Sequence, residues 1–241
     1  MPICAIVGAG EGLGSALASK FAEEGFDLVL TSRSETGCEI AAQTARVVNP
    51  DATILTYAAD AKYPETIEAA LAEATSKLGD VEVLIYNVRG QFTKCSPLDM
   101  SYEALNNTFQ MEVTGAFAAV KTVLPGMRER GRGTIFFSSA TAAFRGSASY
   151  PLYAIGKFGL RALSQCLAKA YASDGVHIVH MRLDCDLDVP VMRDLYGDAY
   201  DPDKLANPLE IAQSYWLTHL QPRSAWSNEV DLRPHTETWT Y

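Results

Sequence analysis

The sequence lacks the features that mark secreted, membrane-spanning and metal-binding proteins. It contains five cysteines, an odd number without a CxxC spacing, which favours reduced thiols over a disulfide framework or a zinc site. Its longest apolar runs have the length of a strand, whereas a membrane-spanning helix needs about 20 apolar residues. No basic leader segment precedes the first apolar run. These absences predict a cytosolic protein without a metal site or a membrane segment.

Positive charge is also scarce. The 29 acidic residues outnumber the 20 lysines and arginines, which gives a formal net charge of −9. Nucleic-acid binding relies on clustered lysines and arginines, and the sequence has no such cluster. We therefore expect a small-molecule partner and no nucleic acid. Because 48% of the residues are apolar, residues 1–241 can bury one large core and are predicted to form one domain.

Apolar segments of strand length alternate with helical segments along the chain. The predicted strands cover residues 3–7, 28–31, 53–57, 81–86, 133–137 and 176–182, with a further edge strand at 229–233. This alternation predicts a mostly parallel sheet with helices on both faces. The expected architecture is a single-domain, doubly wound α/β fold of the Rossmann type with about seven strands. In such folds ligands bind at the carboxyl ends of the strands.

A glycine-rich segment follows the first strand and leads into a helix predicted over residues 15–24. Glycine lets the backbone turn sharply and approach a phosphate, and the N–H groups at a helix start attract the anion. The spacing does not fit GxGxxG, because Leu13 stands at the third glycine position. It fits GxxxGxG through Gly8, Gly12 and Gly14. Together with Leu13, these glycines are the predicted phosphate-binding segment of a dinucleotide site; the alternative is a glycine turn without a ligand.

Arg33 stands just after the second predicted strand. Dinucleotide sites place an acidic residue here for the ribose 2′-hydroxyl, or a basic residue for a 2′-phosphate. Arg33 therefore favours NADP(H) as the cofactor. Glu11 brings a negative charge close to the same phosphate, and Arg33 could be a solvated surface residue, so NAD(H) is the alternative.

Tyr153 and Lys157 lie in a helix predicted over residues 149–172. Residues four apart share one face of a helix, and a nearby ammonium lowers the pKa of a tyrosine from about 10. Such a tyrosine can pass a proton to a carbonyl oxygen while hydride reaches the carbon. Tyrosine and lysine also occur at this spacing on ordinary helix surfaces. Their position after the fifth strand, downstream of the glycine segment, favours the catalytic interpretation.

Together these motifs resemble the short-chain dehydrogenase/reductase family over nearly the whole chain. The family's TGxxxGxG motif corresponds to residues 7–14 and its YxxxK motif to residues 153–157. The resemblance implies that Tyr153 donates or accepts the proton. It also implies that Lys157 lowers the pKa of that tyrosine and holds the nicotinamide ribose.

Further cofactor contacts follow from the same resemblance. Family members carry an aspartate after the third strand that contacts the adenine, and Asp60 with Ala61 stands there. Asn87 is the one residue that clearly matches the NNAG element after the fourth strand. Arg89 occupies a position near the cofactor that the family normally gives to a glycine.

The catalytic serine of the family is displaced in this sequence. It lies thirteen positions before the tyrosine, and that position is Ala140 here. A one-residue insertion before Tyr153 would restore Ser139, which is our choice for the catalytic hydroxyl. Ser138 and Thr141 are the alternatives.

Two other departures concern the proton relay and the nicotinamide pocket. Glu112 stands where the family has an asparagine in its fourth helix, and a second charge there changes the electrostatics. Asp184 and Cys185 replace the Pro-Gly that usually follows the sixth strand. These departures bear on catalysis more than on cofactor binding.

The last third of the chain is predicted to supply a lid and contacts between subunits. We define the lid segment as residues 184–208, where prolines and glycines interrupt the regular pattern. Family members commonly pair through their fourth and fifth helices, which implies a homodimer or homotetramer. Five residues are candidates for an apolar substrate pocket, with a role in the core or in subunit contacts as the equal alternative for most of them: Phe92, Phe144, Met192, Tyr196 and Tyr200. Four C-terminal aromatic residues are expected to cap the core or bury an interface: Tyr215, Trp216, Trp226 and Trp239.

The expected function is hydride transfer between NADP(H) and a carbonyl or alcohol substrate. The alternative of another class is a sensor or scaffold protein that keeps the fold and the cofactor but has lost turnover through the altered relay. An enoyl reductase is a third option, which the four-residue spacing from Tyr153 to Lys157 disfavours.

Overall fold

The computed structural model describes residues 1–90 and 92–238. Seven strands form the sheet: β1 Ile3–Val7, β2 Asp27–Ser32, β3 Ile54–Ala58, β4 Val83–Tyr86, β5 Gly133–Ala140, β6 Val176–Leu183 and β7 Glu229–Leu232. Eight α-helices surround it: α1 Leu13–Glu23, α2 Glu35–Val48, α3 Pro64–Leu78, α4 Tyr102–Phe109, α5 Gly115–Glu129, α6 Pro151–Tyr171, α7 Pro190–Tyr196 and α8 Pro208–His219. A π-helical turn, Gln110–Thr114, joins α4 to α5.

The sheet has the order β3-β2-β1-β4-β5-β6-β7, and every pairing is parallel. The strand order therefore reverses between β1 and β4, which opens a crevice at their carboxyl ends. The predicted single-domain, doubly wound α/β fold is confirmed. Within the described ranges, none of the helices is both long and apolar enough to cross a membrane.

Alternating side chains of the strands fill two cores, one on each face of the sheet. In β5, Ile135 and Phe137 pack in the core covered by α3, α5 and α6, whereas Phe136 packs in the core covered by α1, α2 and α8. Successive strand residues point to opposite faces. The two serines that follow are consequently separated, with Ser138 on the α8 side and Ser139 on the α6 side.

The sequence predicts most elements closely. β1 matches its prediction residue for residue, and α3 begins at Pro64 and ends before Gly79, whose φ is 101°. β5 is longer than predicted and continues to Ala140. Its last residues include two serines, so a search for apolar runs ends the strand too early. Ser138 and Ser139 nevertheless pair in register with β6.

The C-terminal aromatic residues cap one of the two cores, as expected. Tyr215 is fully buried, and Trp216 meets the ring of Phe21 edge-on at 5.8 Å. Trp226 stacks on His177 with 4.7 Å between ring centroids. Trp239 lies outside the described residues.

Replacement of Tyr215 by phenylalanine should expose the contribution of one buried hydroxyl pair. The Tyr215 hydroxyl lies 2.8 Å from Ser138 Oγ. Because Tyr215→Phe leaves the buried serine without this partner, it should lower the free energy of unfolding by about 1–2 kcal/mol, measured by urea denaturation. The double variant Ser138→Ala/Tyr215→Phe should cost less than the sum of the single variants. Strictly additive costs would contradict a direct bond between the two hydroxyls.

Candidate active site

Backbone conformation at the carboxyl end of β1 requires glycine. Gly8 has a φ of 94° and Gly12 a φ of 85°, both in the region that side chains rarely adopt. A Cβ on Gly8 would lie 2.6 Å from the carbonyl oxygen of Asn87, and one on Gly14 would lie 2.8 Å from that of Gly8. The segment is therefore folded tightly against itself and against the end of β4.

The same segment leaves room for a ligand above it. Nothing lies within 4 Å of a Cβ built on Gly10. Helix α1 starts directly behind the segment, its N-cap Gly12 has no side chain to cap the helix, and the Leu13 side chain is buried beneath. An open backbone cradle at a helix start fits the pyrophosphate of a dinucleotide.

The other predicted cofactor residues lie at the same edge of the sheet. Asn87 follows β4, and its Nδ2 donates to the carbonyl oxygen of Gly8 at 3.1 Å. Asp60 follows β3, where its Oδ1 accepts from the backbone N–H of Lys62 at 3.0 Å, and Ala61 is buried beside it. These residues thus follow two parallel strands that have β2 and β1 between them, and they lie at the same edge of the sheet as the glycine segment.

Arg33 lies at the rim of this edge. The carbonyl of Thr31 at the end of β2 accepts from the backbone N–H groups of Gly8 and Ala9 at 2.9 and 2.8 Å. Arg33 follows two residues later, is exposed, and has no ion pair within the described ranges. A free guanidinium next to the glycine segment suits an anionic group of a ligand.

The three candidate hydroxyls for catalysis have different surroundings. Ser138 Oγ is bonded to Tyr215 on the far face of the sheet. Thr141 Oγ1 donates to Asp184. Ser139 Oγ is buried and has no hydrogen-bond partner among the residues that the structure describes. An unpartnered buried hydroxyl is costly, so Ser139 is the one that is ready to bond a substrate.

Lys157 is deeply buried, with 2% of its surface exposed, and its ammonium is fully engaged. Its Nζ donates to the carbonyl oxygens of Val88 and Ser138 at 3.1 and 3.2 Å. It also lies 2.8 Å from Oε2 of Glu112. An ammonium has three hydrogens. All three therefore have protein acceptors within reach.

Glu112 is a partner of Lys157 that the sequence does not predict. The motif comparison marks it as a departure, but a single sequence carries no sign that its side chain is buried. Its second oxygen, Oε1, accepts from the backbone N–H of Gly90 at 2.7 Å. A Cβ on Gly90 would lie 2.6 Å from this oxygen, and one on Gly156 would lie 2.8 Å from Glu112 Cγ. Glycine at positions 90 and 156 is the feature of the sequence that is consistent with a buried Glu112 side chain between them.

Tyr153 faces this buried pair from the first turns of α6. The ammonium of Lys157 lies 5.7 Å from the centre of its ring, and the ring of Phe92 meets it edge-on at 5.1 Å. Burial raises the pKa of Tyr153, the Lys157 and Arg89 charges lower it, and Glu112 raises it again. The net direction is upward. The expected net lowering of this pKa is therefore wrong, because burial and Glu112 together outweigh the cations.

The lid segment packs on itself and on the glycine segment. The backbone N–H of Asp188 donates to Ala206, which closes the base of the segment, and Arg193 pairs with the Asp188 carboxylate at 2.7 Å. Val189 lies against Gly12, where a Cβ would come within 2.9 Å of its Cγ1. The Tyr196 hydroxyl donates to Asp186 at 2.8 Å. This part of the chain thus covers the start of α1.

Three residues near the ends of β5 and β6 have surroundings that do not suggest contact with a substrate. Phe144, expected in the substrate pocket, is instead held between the guanidinium groups of Arg161 and Arg182, at 3.6 and 4.2 Å from its ring centre. Asp184 pairs with Arg233 at 3.1 Å. Burial raises the pKa of the Cys185 thiol to about 12, so this thiol is unreactive. Within the described residues, no group of three His, Cys, Asp or Glu side chains could hold a metal.

Known proteins resemble this chain along most of its length. A family model of short chain dehydrogenases matches residues 2–184. An uncharacterized oxidoreductase of Staphylococcus saprophyticus is 25% identical over 234 residues, which cover 96% of this chain and 97% of that protein. A short-chain dehydrogenase from Rhodopseudomonas palustris superposes with a TM-score of 0.82 and 27% identity, over 97% of this chain and 99% of the other.

L-sorbose reductase from Gluconobacter frateurii, solved in complex with NADPH and L-sorbose, shares the fold. It superposes with a TM-score of 0.85 at 22% identity, over 97% of this chain and 95% of that chain. The glycine cradle, the Tyr153 and Lys157 pair and the family match agree. The chain belongs to the short-chain dehydrogenase family and is an NAD(P)-dependent oxidoreductase of alcohol or carbonyl groups.

Proposed function

We propose that the protein reduces a carbonyl substrate with NADPH, or oxidises the matching alcohol with NADP⁺, using Tyr153 as the proton-transferring group. One observation carries this proposal. The buried Lys157 lies 5.7 Å from the ring centre of Tyr153 and donates to the carbonyl of Ser138, and the next residue, Ser139, has an unpartnered hydroxyl among the described residues.

The protein groups have distinct roles in the proposed reaction. The bound nicotinamide supplies or takes the hydride. Ser139 donates a hydrogen bond to the substrate oxygen and holds it beside Tyr153, whose hydroxyl gives up its proton. Lys157 fixes the end of β5 and the loop after β4 through its two carbonyl contacts. If Lys157 also holds the nicotinamide ribose, as the family resemblance implies, one of its present contacts has to be released.

The cradle residues are proposed to bind the cofactor along the crevice. Gly8, Gly12, Leu13 and Gly14 provide backbone to the pyrophosphate, and Arg33 provides charge to a 2′-phosphate. Asp60, Ala61 and Asn87 take the adenosine side. The NADPH in L-sorbose reductase supports the same choice of cofactor at the level of the fold. NAD(H) remains the alternative.

The substrate is proposed to be a moderately apolar aldehyde, ketone or secondary alcohol. Phe92 stacks on Tyr150 at 4.3 Å and meets Tyr153 edge-on, which builds an aromatic wall beside the reacting hydroxyl. The lid segment, with Met192, Tyr196 and Tyr200, closes the other side in this proposal. The competing function is a dinucleotide sensor. It is favoured by the three protein contacts of the Lys157 ammonium, which leave it no hydrogen for the nicotinamide ribose.

We further propose that the chain forms a dimer through the exposed faces of α5 and α6. Three phenylalanines there are more than two-fifths exposed: Phe109 at the end of α4, Phe117 on α5 and Phe158 on α6. Phe109 and Phe158 line one apolar groove together with Ile155. Large aromatic side chains grouped on a surface are typical of a subunit interface. A second copy that pairs the same faces would bury all three.

Tyr153→Phe should abolish turnover and spare cofactor binding. NADPH oxidation is measured against a panel of aldehydes and ketones, with NADH in parallel, and NADPH binding is followed by its fluorescence. Loss of a general acid should lower kcat by about 10²–10⁴-fold, while the Kd for NADPH stays within a few-fold. Tyr171→Phe, at the opposite end of the same helix, is the matched control. Equal inactivity of the wild type and both variants, despite tight NADPH binding, would favour the sensor.

Arg33→Ala should weaken NADPH selectively. A charge-assisted hydrogen bond to a phosphate contributes about 1.5–3 kcal/mol, so the Kd for NADPH should rise about ten- to a hundredfold. The Kd for NADH, which lacks the 2′-phosphate, should stay unchanged. Arg46→Ala, which removes an exposed arginine within α2, serves as the control. An equal effect on both cofactors would argue against a 2′-phosphate site at Arg33.

Phe158→Glu should convert the dimer into a monomer. A buried, unpaired carboxylate on each side of a two-fold interface is strongly unfavourable. Sedimentation velocity at micromolar concentration should show a dimer or tetramer for the wild type and a smaller species for the variant. Leu209→Glu, an exposed leucine on α8, should leave the assembly intact. A monomeric wild type would refute the proposed interface.

A further inference from the structure

The buried pair of Glu112 and Lys157 is the feature that the proposed chemistry leaves unexplained. The carboxylate is fully buried, and the two charged groups are 2.8 Å apart. Moving two charges out of water is expensive, and the attraction between them seldom stabilises a fold more than apolar residues would. The pair is therefore poorly explained as a device for stability. Its position beside Tyr153 suggests an electrostatic role.

The surroundings of Glu112 fix where its charge lies. One carboxylate oxygen faces Lys157 and the other accepts from the Gly90 N–H at 2.7 Å. Gly90 and Gly156 crowd the side chain so closely that a Cβ on either glycine would collide with it. The carboxylate thus cannot swing away from Lys157 without leaving a buried ammonium unpaired.

Four charged groups act on Tyr153, from four parts of the fold. Lys157 lies on α6, Glu112 in the π-helical turn, Arg89 in the loop after β4 and Asp186 in the lid segment. Two are positive and two are negative. Arg89 is exposed and screened by solvent, whereas the oppositely charged pair next to the phenol is buried. The nearest positive charge is therefore cancelled by a carboxylate 2.8 Å away.

We propose that Glu112 is a positioning residue that sets the working direction of the site, because its carboxylate neutralises Lys157 and keeps Tyr153 in the protonated form that a reductase needs. The proposal rests on the proposed function, in which Tyr153 transfers the proton. With an uncharged residue at position 112, the ammonium would favour the phenolate, which is the form that accepts a proton from an alcohol.

Carbonyl reduction and alcohol oxidation need opposite protonation states of Tyr153. In reduction, hydride from the reduced nicotinamide forms the new C–H bond, the π electrons of the carbonyl move to oxygen, and that oxygen takes the Tyr153 proton. The phenolate then regains a proton from water. In oxidation the phenolate would take the hydroxyl proton, while the carbon would give its hydride to the oxidised nicotinamide of bound NADP⁺. A tyrosine that stays protonated at neutral pH thus serves reduction and hinders oxidation.

The first test measures ionisation of Tyr153 without any substrate or cofactor. Phenolate absorbance in the near ultraviolet is titrated against pH for the wild type and for Glu112→Gln, and the same titrations in the Tyr153→Phe background are subtracted. Removal of the negative charge that lies 2.8 Å from the Lys157 ammonium should lower the midpoint of the Tyr153 ionisation by about 1–3 pH units. Glu103→Gln, an exposed glutamate on α4, should leave it unchanged.

The second test uses turnover, once a substrate is known. In Glu112→Gln the alkaline limb of kcat/KM for carbonyl reduction should move to lower pH by the same interval. The ratio of kcat for alcohol oxidation to kcat for carbonyl reduction, each at saturating substrate and cofactor and at neutral pH, should rise about tenfold or more, since each pH unit is a factor of ten in phenolate. Circular dichroism checks the fold, and Glu112→Asn, with a smaller amide, replaces the glutamine variant if that variant is misfolded.

The outcomes separate the two proposals. An unchanged midpoint, or a midpoint at higher pH because Lys157 loses its proton, would overturn the role of Glu112. If no substrate is turned over, the proposed function fails, but the absorbance titration still decides whether Glu112 holds Tyr153 protonated. A shifted midpoint together with an unchanged ratio of oxidation to reduction would also overturn the proposed effect on direction.

Discussion

The parallel pairing of β1 with β4 is the constraint on which the site depends. It brings the glycine segment after β1 and Asn87 after β4 to one edge, where the side-chain amide of Asn87 bonds the carbonyl of Gly8. The order of strands reverses at this pair, so no strand connection crosses the edge and a crevice is left. β5 lies next to β4 and delivers Ser139 to the same crevice. Helix α6 then supplies Tyr153 and Lys157 from one face.

Much of this arrangement is readable from the sequence, and the exceptions have physical causes. Apolar runs of strand length locate the strands. Because these runs alternate with helical segments, a parallel sheet with helices on both faces is the expected topology. The sequence does not decide between Ser138 and Ser139 as the candidate catalytic hydroxyl. Neighbouring strand residues point to opposite faces, so the choice depends on which face of β5 each serine occupies. The pKa of Tyr153 cannot be inferred from the i,i+4 lysine alone. It depends on burial and on Glu112, which is 41 positions away in sequence and adjacent in space.

The site thus combines a glycine cradle that the motif predicts with a buried ion pair, Glu112 and Lys157, that it does not. Binding residues follow strand ends, where the backbone imposes their positions, so a motif predicts them well. The contacts around Lys157 join side chains and backbone of the π-helical turn, α6 and the loop after β4, and such contacts leave no periodic signal in the sequence. Phe144 illustrates the same point, because its ring packs between the guanidinium groups of two arginines, one from α6 and one from β6, which no local pattern predicts.

The crowding of Glu112 by two glycines also restricts how the sequence can change by single substitutions. A glutamate introduced at position 112 while a side chain stands at 90 or 156 would collide with it, since the Cβ positions lie 2.6 and 2.8 Å from Glu112 atoms. Glycine at both positions without the glutamate would leave an unfilled space, and glycine within α6 costs about 1 kcal/mol relative to alanine. Substitutions at these three positions are therefore expected to be coupled.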